Sequence, residues 1–401
     1  MARVFEDDQC FITFGKENTM KLLLIVGSAN DIFIYNYAKW LKASMDVSID
    51  VFELSPSDQQ RYSNEFYDNV ISAKGCGIPK IRVFIDAFLK SWQLTRFIRG
   101  KEYDIIHCHW ITPPIVITKE LKEHCSKLVV SFWGGEFESQ KILYSRKLYR
   151  LFLNRLTKQV DCVINESDSK QYILNNIPLY KGSYKTAVLG SAPLEFLYGI
   201  IKNETRIESK EQLGFPKDKI SVLIGYSGKT IHRHQQIIDA LKQRPALKQI
   251  IHLIAPMTRG ANDNYIELVE NELSKSGYSF SLIKGKFLSD EEIGRLRNAT
   301  DIVLQLSDFD AFSRSIIECL CAKSIMIYGD WLGYEKYLKP SGFNAISVVS
   351  ISEGIKVLSS IVNDLDAYKE MVESNFERGK RQYIWPECIK DWVNAYNDLI
   401  K

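Results

Sequence analysis

Short apolar runs that end in a small or polar loop and then give way to an amphipathic stretch constrain this chain more than any other feature. Lys21–Gly27 (KLLLIVG) is the first, followed by Ser28, Ala29, Asn30 and Asp31 and a helical pattern to Leu41. Val47–Leu54, Asp104–Cys108, Leu128–Phe132 and Asp161–Ile164 repeat it. Apolar runs this short, separated by helical segments, specify parallel strands joined by crossover helices. The periodicity breaks at Gly190–Pro193, and a polar stretch runs from Lys202 to Lys219. A second series follows: Ser221–Ile224, Ile250–Ile254, Phe280–Ile283, Ile302–Leu306, Ser324–Tyr328 and Ala345–Val348.

Two successive series predict an α/β protein of two Rossmann-like, doubly wound parallel-sheet domains facing a cleft. The length of 401 residues suits two domains. The expected division is an N-terminal extension at 1–19, domains at 20–195 and 196–385, and a final helix at 386–401 that returns toward the first domain. Residues 1–19 are acidic and lack an apolar h-region, so they do not read as a secretory signal. No apolar run reaches the length of about 18 residues that a membrane span needs. The eight cysteines show no CxxC spacing and are expected as free buried thiols in a reducing cytoplasm. A formal charge of +3, with no basic run interleaved with stacking aromatics, argues against a nucleic-acid partner.

The most specific motif is Asp310-Ala-Phe-Ser-Arg-Ser-Ile-Ile-Glu318, directly after the strand Ile302–Leu306. It places two carboxylates across a helix start. With Ser313 and Ser315 expected as caps, the first-turn N–H groups suit a diphosphate. Glu318, two turns in, is expected to accept hydrogen bonds from the hydroxyls of a ribose. The alternative is that both acids are solvated helix charges. Asp308-Phe-Asp310 also reads as a DxD metal motif, but two oxygen ligands make a poor Mg²⁺ site without phosphates to complete it. His107-x-His109 and His232-x-His234 invite a zinc reading, for which no third ligand is evident. No metal or other cofactor is expected.

In the order of these motifs the chain resembles a GT-B glycosyltransferase of the broad family 4 type. The second half matches through Gly225-Tyr-Ser-Gly-Lys229, Gly285-Lys-Phe-Leu-Ser-Asp-Glu-Glu292, Asn298-Ala-Thr-Asp301 and the acidic pair; the first matches through Tyr103-Asp-Ile-Ile-His-Cys-His109 and Phe132-Trp-Gly-Gly-Glu136. Gly225–Lys229 and Pro256-Met-Thr-Arg-Gly260 with Tyr265 are also similar to the fucosamine transferases of enterobacterial common antigen. The family usually carries Glu where Asp310 stands, Gly where Ser313 stands, and an arginine near Tyr226. Trp133 occupies the place of a histidine that contacts the transferring sugar in many relatives.

The resemblance implies a nucleotide diphosphate-sugar donor bound by Gly27, Gly228, Lys229, Arg259, Asp310, Phe312, Ser313, Arg314, Ser315 and Glu318, with Asp310, Lys229 and Glu136 carrying catalysis. It implies a lipid-linked or glycan acceptor on the first domain, retention of configuration, and a place in cell-surface polysaccharide or lipopolysaccharide synthesis. From residue 80 to 158 there are 15 Lys and Arg against 7 Asp and Glu. Lys141, Arg146, Lys147 and Arg150 lie there among leucines and aromatics, so a peripheral contact with an anionic membrane at the inner face of the cell is expected. The alternative is that these charges are merely solvated. Two other functions stay open: a degenerate subunit that binds a membrane or a partner, and a sugar-nucleotide epimerase.

Overall fold

The computed structural model of the chain describes residues 19–56, 63–75, 82–133, 136–137, 146–166, 169–258, 260, 262–285, 287–310 and 312–401. The chain divides into two compact units, Met1–Val188 with Ile389–Lys401, and Leu189–Cys388.

The first unit is built on a sheet of seven strands: β1 (Met20–Val26), β2 (Val47–Glu53), β3 (Asn69–Ser72), β4 (Tyr103–His109), β5 (Cys125–Ser131), β6 (Cys162–Asn165) and β7 (Ser183–Thr186). Their spatial order is β3-β2-β1-β4-β5-β6-β7, and every neighbouring pair is parallel. Leu24 pairs with Val51 on one side and His107 on the other. Leu22 to Val26 are fully buried on both faces of the pleat, which is why the run reads as continuous rather than alternating. Asp31 caps the following helix, Ile32–Ser44, by accepting the Phe33 N–H at 2.9 Å.

The second unit has a sheet of six strands: β8 (Ile220–Ile224), β9 (Ile251–Pro256), β10 (Ser279–Ile283), β11 (Ile302–Gln305), β12 (Ile325–Gly329) and β13 (Ile346–Val348). Their order is β10-β9-β8-β11-β12-β13, again with every pair parallel. Two strands of the first unit, β3 and β7, have no counterpart among the apolar runs. Both are four-residue edge strands, largely exposed, so no hydrophobic pattern marks them.

The second unit begins at Leu189, ahead of the boundary expected at 195/196. The helix Ala192–Asn203 packs on the helix Asp290–Asn298 of the same unit, so closely that a Cβ at Gly294 would lie 3.0 Å from the Leu197 nitrogen. The last helix spans Trp385–Ile400, and its residues from Ile389 onward belong to the first unit. Trp392 Nε1 donates to the Val188 carbonyl at 2.9 Å, while the Tyr396 hydroxyl joins the Tyr37 hydroxyl and His107 Nδ1 in one buried chain. Burying Trp392 and Tyr396 contributes on the order of several kcal/mol at about 25 cal/mol per Å² of apolar surface.

Candidate functional site

In both sheets the strand order reverses beside the first strand, between β1 and β4 and between β8 and β11. Open α/β sheets bind ligands at the carboxyl ends of their strands at such a point, because the flanking loops part there. In the second unit those loops are Gly225–Lys229 and Ser307–Ser313.

The first loop turns at Gly225, with φ of 68°. A Cβ there would stand 2.9 Å from the His232 side chain, so the position admits only glycine. His232 Nε2 bonds Ser227 Oγ at 2.8 Å, and the Tyr226 ring meets the imidazole edge-on at 4.4 Å. Burial, with the Lys229 charge nearby, brings His232 down to about 4, so it is neutral at pH 7. His234 bonds the Tyr265 hydroxyl at 3.0 Å, and burial together with His232 brings it to about 3. Gly228 is buried, and Lys229 at the end of the loop is exposed. The stem of Lys229 lies against Gly260, where a Cβ would come within 2.8 Å of its Cγ, so the loops after β8 and β9 touch. Arg259 lies outside the described residues.

The second loop centres on Asp310, which is buried. Tyr226 donates its hydroxyl to Oδ1, Tyr334 donates to Oδ2, and the Ser313 N–H reaches Oδ2 at 3.1 Å. The Tyr334 hydroxyl is raised well above the ordinary tyrosine range by burial and by the Asp310 charge, so it remains a donor. Phe312 adopts φ of 57° and stacks on Tyr337 with centroids 5.1 Å apart. Asp310 and Phe312 thus fix how the chain enters the helix Arg314–Cys321.

The capping expectation needs correcting. Ser313 is the N-cap, yet its hydroxyl makes no cap bond and is buried without a hydrogen-bond partner. Ser315 is already inside the helix, which starts at Arg314, and Asp310 accepts the N–H of the N-cap residue Ser313. Arg314, the first helical residue, lays its guanidinium over the Tyr383 ring at 5.0 Å. In the first turn the Ile316 and Ile317 N–H groups reach the Ser313 carbonyl at 2.9 and 3.4 Å, which leaves those of Arg314 and Ser315 at the helix start without intrahelical acceptors.

Glu318 is buried one side of the helix further in. Arg297 donates to Oε2 through Nε at 3.2 Å and Nη2 at 3.1 Å, and Ser191 Oγ donates to Oε1 at 2.8 Å. The sequence offered no spacing that tied Arg297, Ser191 or Tyr334 to the acidic pair; only Tyr226 was marked, as a departure from the family. The two acids of the DxD spacing face different partners, since Asp308 pairs with Arg233. Among the described residues no group of three or more His, Cys, Asp or Glu is placed to hold a metal ion.

In the first unit Gly27 closes β1, and Glu136 is buried with Oε1 accepting the Trp133 N–H at 2.7 Å. His107 and His109 lie side by side on β4, their rings tilted with centroids 4.0 Å apart. Arg146 and Lys147 begin the helix Arg146–Thr157, Arg150 on it is exposed, and Lys141 lies outside the described residues. No helix of the described residues is long and apolar enough to cross a membrane.

Residues 21–167 match the family described as glycosyl transferase 4-like. Mannosylglucosylglycerate synthase of Thermotoga maritima is 22% identical over 138 residues, 30% of this chain and 32% of that protein, so the likeness spans about a third of that relative's length. Sucrose-phosphate synthase of Thermosynechococcus elongatus superposes with a TM-score of 0.72 at 14% identity, over 95% of this chain and 99% of that one. Anabaena Alr3699/HepE in complex with UDP and glucose superposes with a TM-score of 0.65 at 14% identity, over 94% of this chain and all of that one, 100%. At such identities the structural likeness is one of fold, the GT-B fold of two Rossmann-like units.

Proposed function

We propose, from the premise that this chain is a glycosyltransferase of the two-domain GT-B type, that it moves a sugar from a nucleotide diphosphate-sugar to a lipid-linked or glycan acceptor with retention of configuration. The observation that carries the reading is the β8/β11 reversal: a helix N-terminus entered through a buried, doubly held carboxylate, beside a loop that presents Lys229. A diphosphate over the first turn of Arg314–Cys321 would meet N–H groups, the positive end of the helix dipole and the Lys229 ammonium. Lys229, with Arg259, would stabilise the departing diphosphate, the largest demand of such a transfer. Asp310 would orient the sugar through the lone pairs its tyrosines leave open, and Gly27 and Glu136 would serve from the first unit. That Anabaena Alr3699/HepE holds UDP and glucose supports this donor class.

The reaction needs no metal in this reading, because Asp308 and Asp310 are already engaged by Arg233 and by two tyrosines. EDTA is expected to leave transfer intact; full loss restored by Mg²⁺ would revive a metal-dependent site. The degenerate-subunit alternative draws on one observation, the enclosure of Glu318 by Arg297 and Ser191. A nucleotide-release assay with UDP-, GDP- and dTDP-sugars separates the two, since only a transferase or donor hydrolase liberates the diphosphate.

A membrane-bound acceptor is favoured by one surface of the first unit. On the helix Arg82–Ile98, Ala87, Leu94 and Ile98 face the core, while Ile85, Phe88 and Trp92 are 44%, 60% and 57% exposed, in line with exposed Arg96 and Arg99. A helix apolar on two faces with a basic end is suited to lie at an anionic lipid interface. The enzyme would then act at the cytoplasmic face of the cell membrane, in the making of surface polysaccharide or lipopolysaccharide.

A further inference from the structure

Glu318 lies on the helix Arg314–Cys321, beyond the proposed diphosphate seat, where the sequence predicts a carboxylate open to two neighbouring hydroxyls of a ribose. The carboxylate is not open. An ionised carboxyl group offers about four acceptor sites, two on each oxygen. Arg297 takes both on Oε2, donating from Nε at 3.2 Å and from Nη2 at 3.1 Å, and Ser191 Oγ takes one on Oε1 at 2.8 Å. A single site on Oε1 is left, on a side chain only 8% exposed.

Helix packing holds this clamp in place. Arg297 lies on the helix Asp290–Asn298, and Ser191 is the N-cap of the helix Ala192–Asn203. The two helices approach so closely that a Cβ at Gly294 would stand 3.1 Å from the Pro193 carbonyl oxygen. The Ser191 N–H donates to the Tyr383 carbonyl at 2.9 Å, and the Tyr383 ring lies beneath the Arg314 guanidinium. Neither partner can withdraw from Glu318 without disturbing these contacts.

The energetics point the same way. Arg297 is buried, and an arginine keeps its proton in a protein. If a pair of hydroxyls displaced it from Oε2, its charge would be left buried and unpaired, a loss larger than two hydroxyl bonds return. The Arg297 pairing therefore outlasts the arrival of a nucleotide. Two vicinal hydroxyls then compete for the one site on Oε1, and either alone can fill it. Removing one of them costs little.

We propose that Arg297 withdraws Glu318 from reading the ribose hydroxyls as a pair, so that this donor site takes 2′-deoxyribonucleoside diphosphates as readily as ribonucleoside diphosphates. The inference rests on the transferase reading and deepens it, since selection among donors then falls to the base and the diphosphate. Arg297 becomes a specificity-determining residue that acts through Glu318.

Isothermal calorimetry on the full chain tests it, with UDP, GDP and ribothymidine diphosphate, each beside its 2′-deoxy and 3′-deoxy counterparts. For whichever base binds, the Kd is expected to stay within about threefold across its series. Arg297→Gln offers one N–H in place of two, which returns a site on Oε2 while Glu318 keeps a partner. That variant should prefer the ribonucleotide by about fivefold or more. A thermal melt shows whether it folds, and the wild-type series decides the question even if it does not. A loss of about tenfold or more on removing either hydroxyl from the wild-type ligand, the mark of a hydroxyl bonded to a carboxylate, would overturn the proposal. A folded Arg297→Gln chain with no ribose preference would overturn it too. Binding by none of the nucleotides would bring down the transferase reading and this inference together, whereas a ribose preference in the wild-type chain would sink this inference alone.

Discussion

The two sheets share the order of their first six strands and reverse beside their first strands, yet the two reversal points carry different chemistry. In the second unit the acids are each held by partners: Asp310 by two tyrosines, Glu318 by Arg297 and Ser191, Asp308 by Arg233. In the first, a cavity of about 110 Å³ is lined mainly by Gly27, Ile34, His109, Trp110 and Trp133, with Asp31 and two serines beside them. Topology therefore decides where a ligand can sit, and the side chains decide what kind. In the second unit the acids are already engaged, which leaves Lys229 and the helix N-terminus to meet an anion; in the first the lining is mainly aromatic and aliphatic.

Breaking the bracing in the second unit should have the largest effect. Glu318→Ala leaves Arg297 buried and unpaired, which costs about 3–5 kcal/mol, and the denaturant midpoint should fall accordingly. Trp110→Ala in the first unit, losing a half-exposed side chain while keeping a Cβ at the same positive φ, should leave the midpoint within about 0.5 kcal/mol. Equal losses would erase the contrast. Removing one brace from Asp310, by Tyr334→Phe, is expected to cost about 1.5–3 kcal/mol, as for hydrogen bonds to charged groups, and to raise the donor KM more than it lowers kcat.

Acid sharpens the comparison in another way. Burial depresses His232 and His252 to about 4 and His234 to about 3, against 6.5 when unfolded, so the unfolded chain binds more protons below pH 6.5. Their contribution is complete above pH 6.5 and is lost as the pH falls toward 4, at up to about 1.4 kcal/mol per pH unit for each histidine. Replacing His252, whose ring nitrogens bond Ser279 and Ser281, by Gln should flatten that slope by one such share. The smallest effect belongs to the surface: Arg150→Glu should weaken pelleting with anionic liposomes by roughly 1 kcal/mol, and Phe88→Ser with Trp92→Ser should deepen the loss. Unchanged pelleting would remove the membrane from the account.

The alternation of apolar runs and helices made the fold legible, because strands buried on both faces leave continuous hydrophobic signatures such as Leu22–Val26. Edge strands Asn69–Ser72 and Ser183–Thr186 left none, being exposed. At the site, the helix start between Asp310 and Glu318 was visible as local spacing. Its partners were not, since Tyr334 reaches Asp310 across 24 residues and Ser191 reaches Glu318 across 127, through the fold alone. Trp110 was invisible for a different reason, as a positive φ has no signature in residue type when the residue is tryptophan.

The β8/β11 reversal is proposed to bind a nucleoside diphosphate through a helix N-terminus and Lys229. Isothermal calorimetry of UDP, GDP and dTDP with the wild-type chain and with Lys229→Ala tests it most directly. One of the three is expected to bind, and Lys229→Ala to weaken it about tenfold, a loss of about 1.4 kcal/mol, at unchanged stability. Failure of all three to bind at millimolar concentration, or identical binding to the variant, would contradict it.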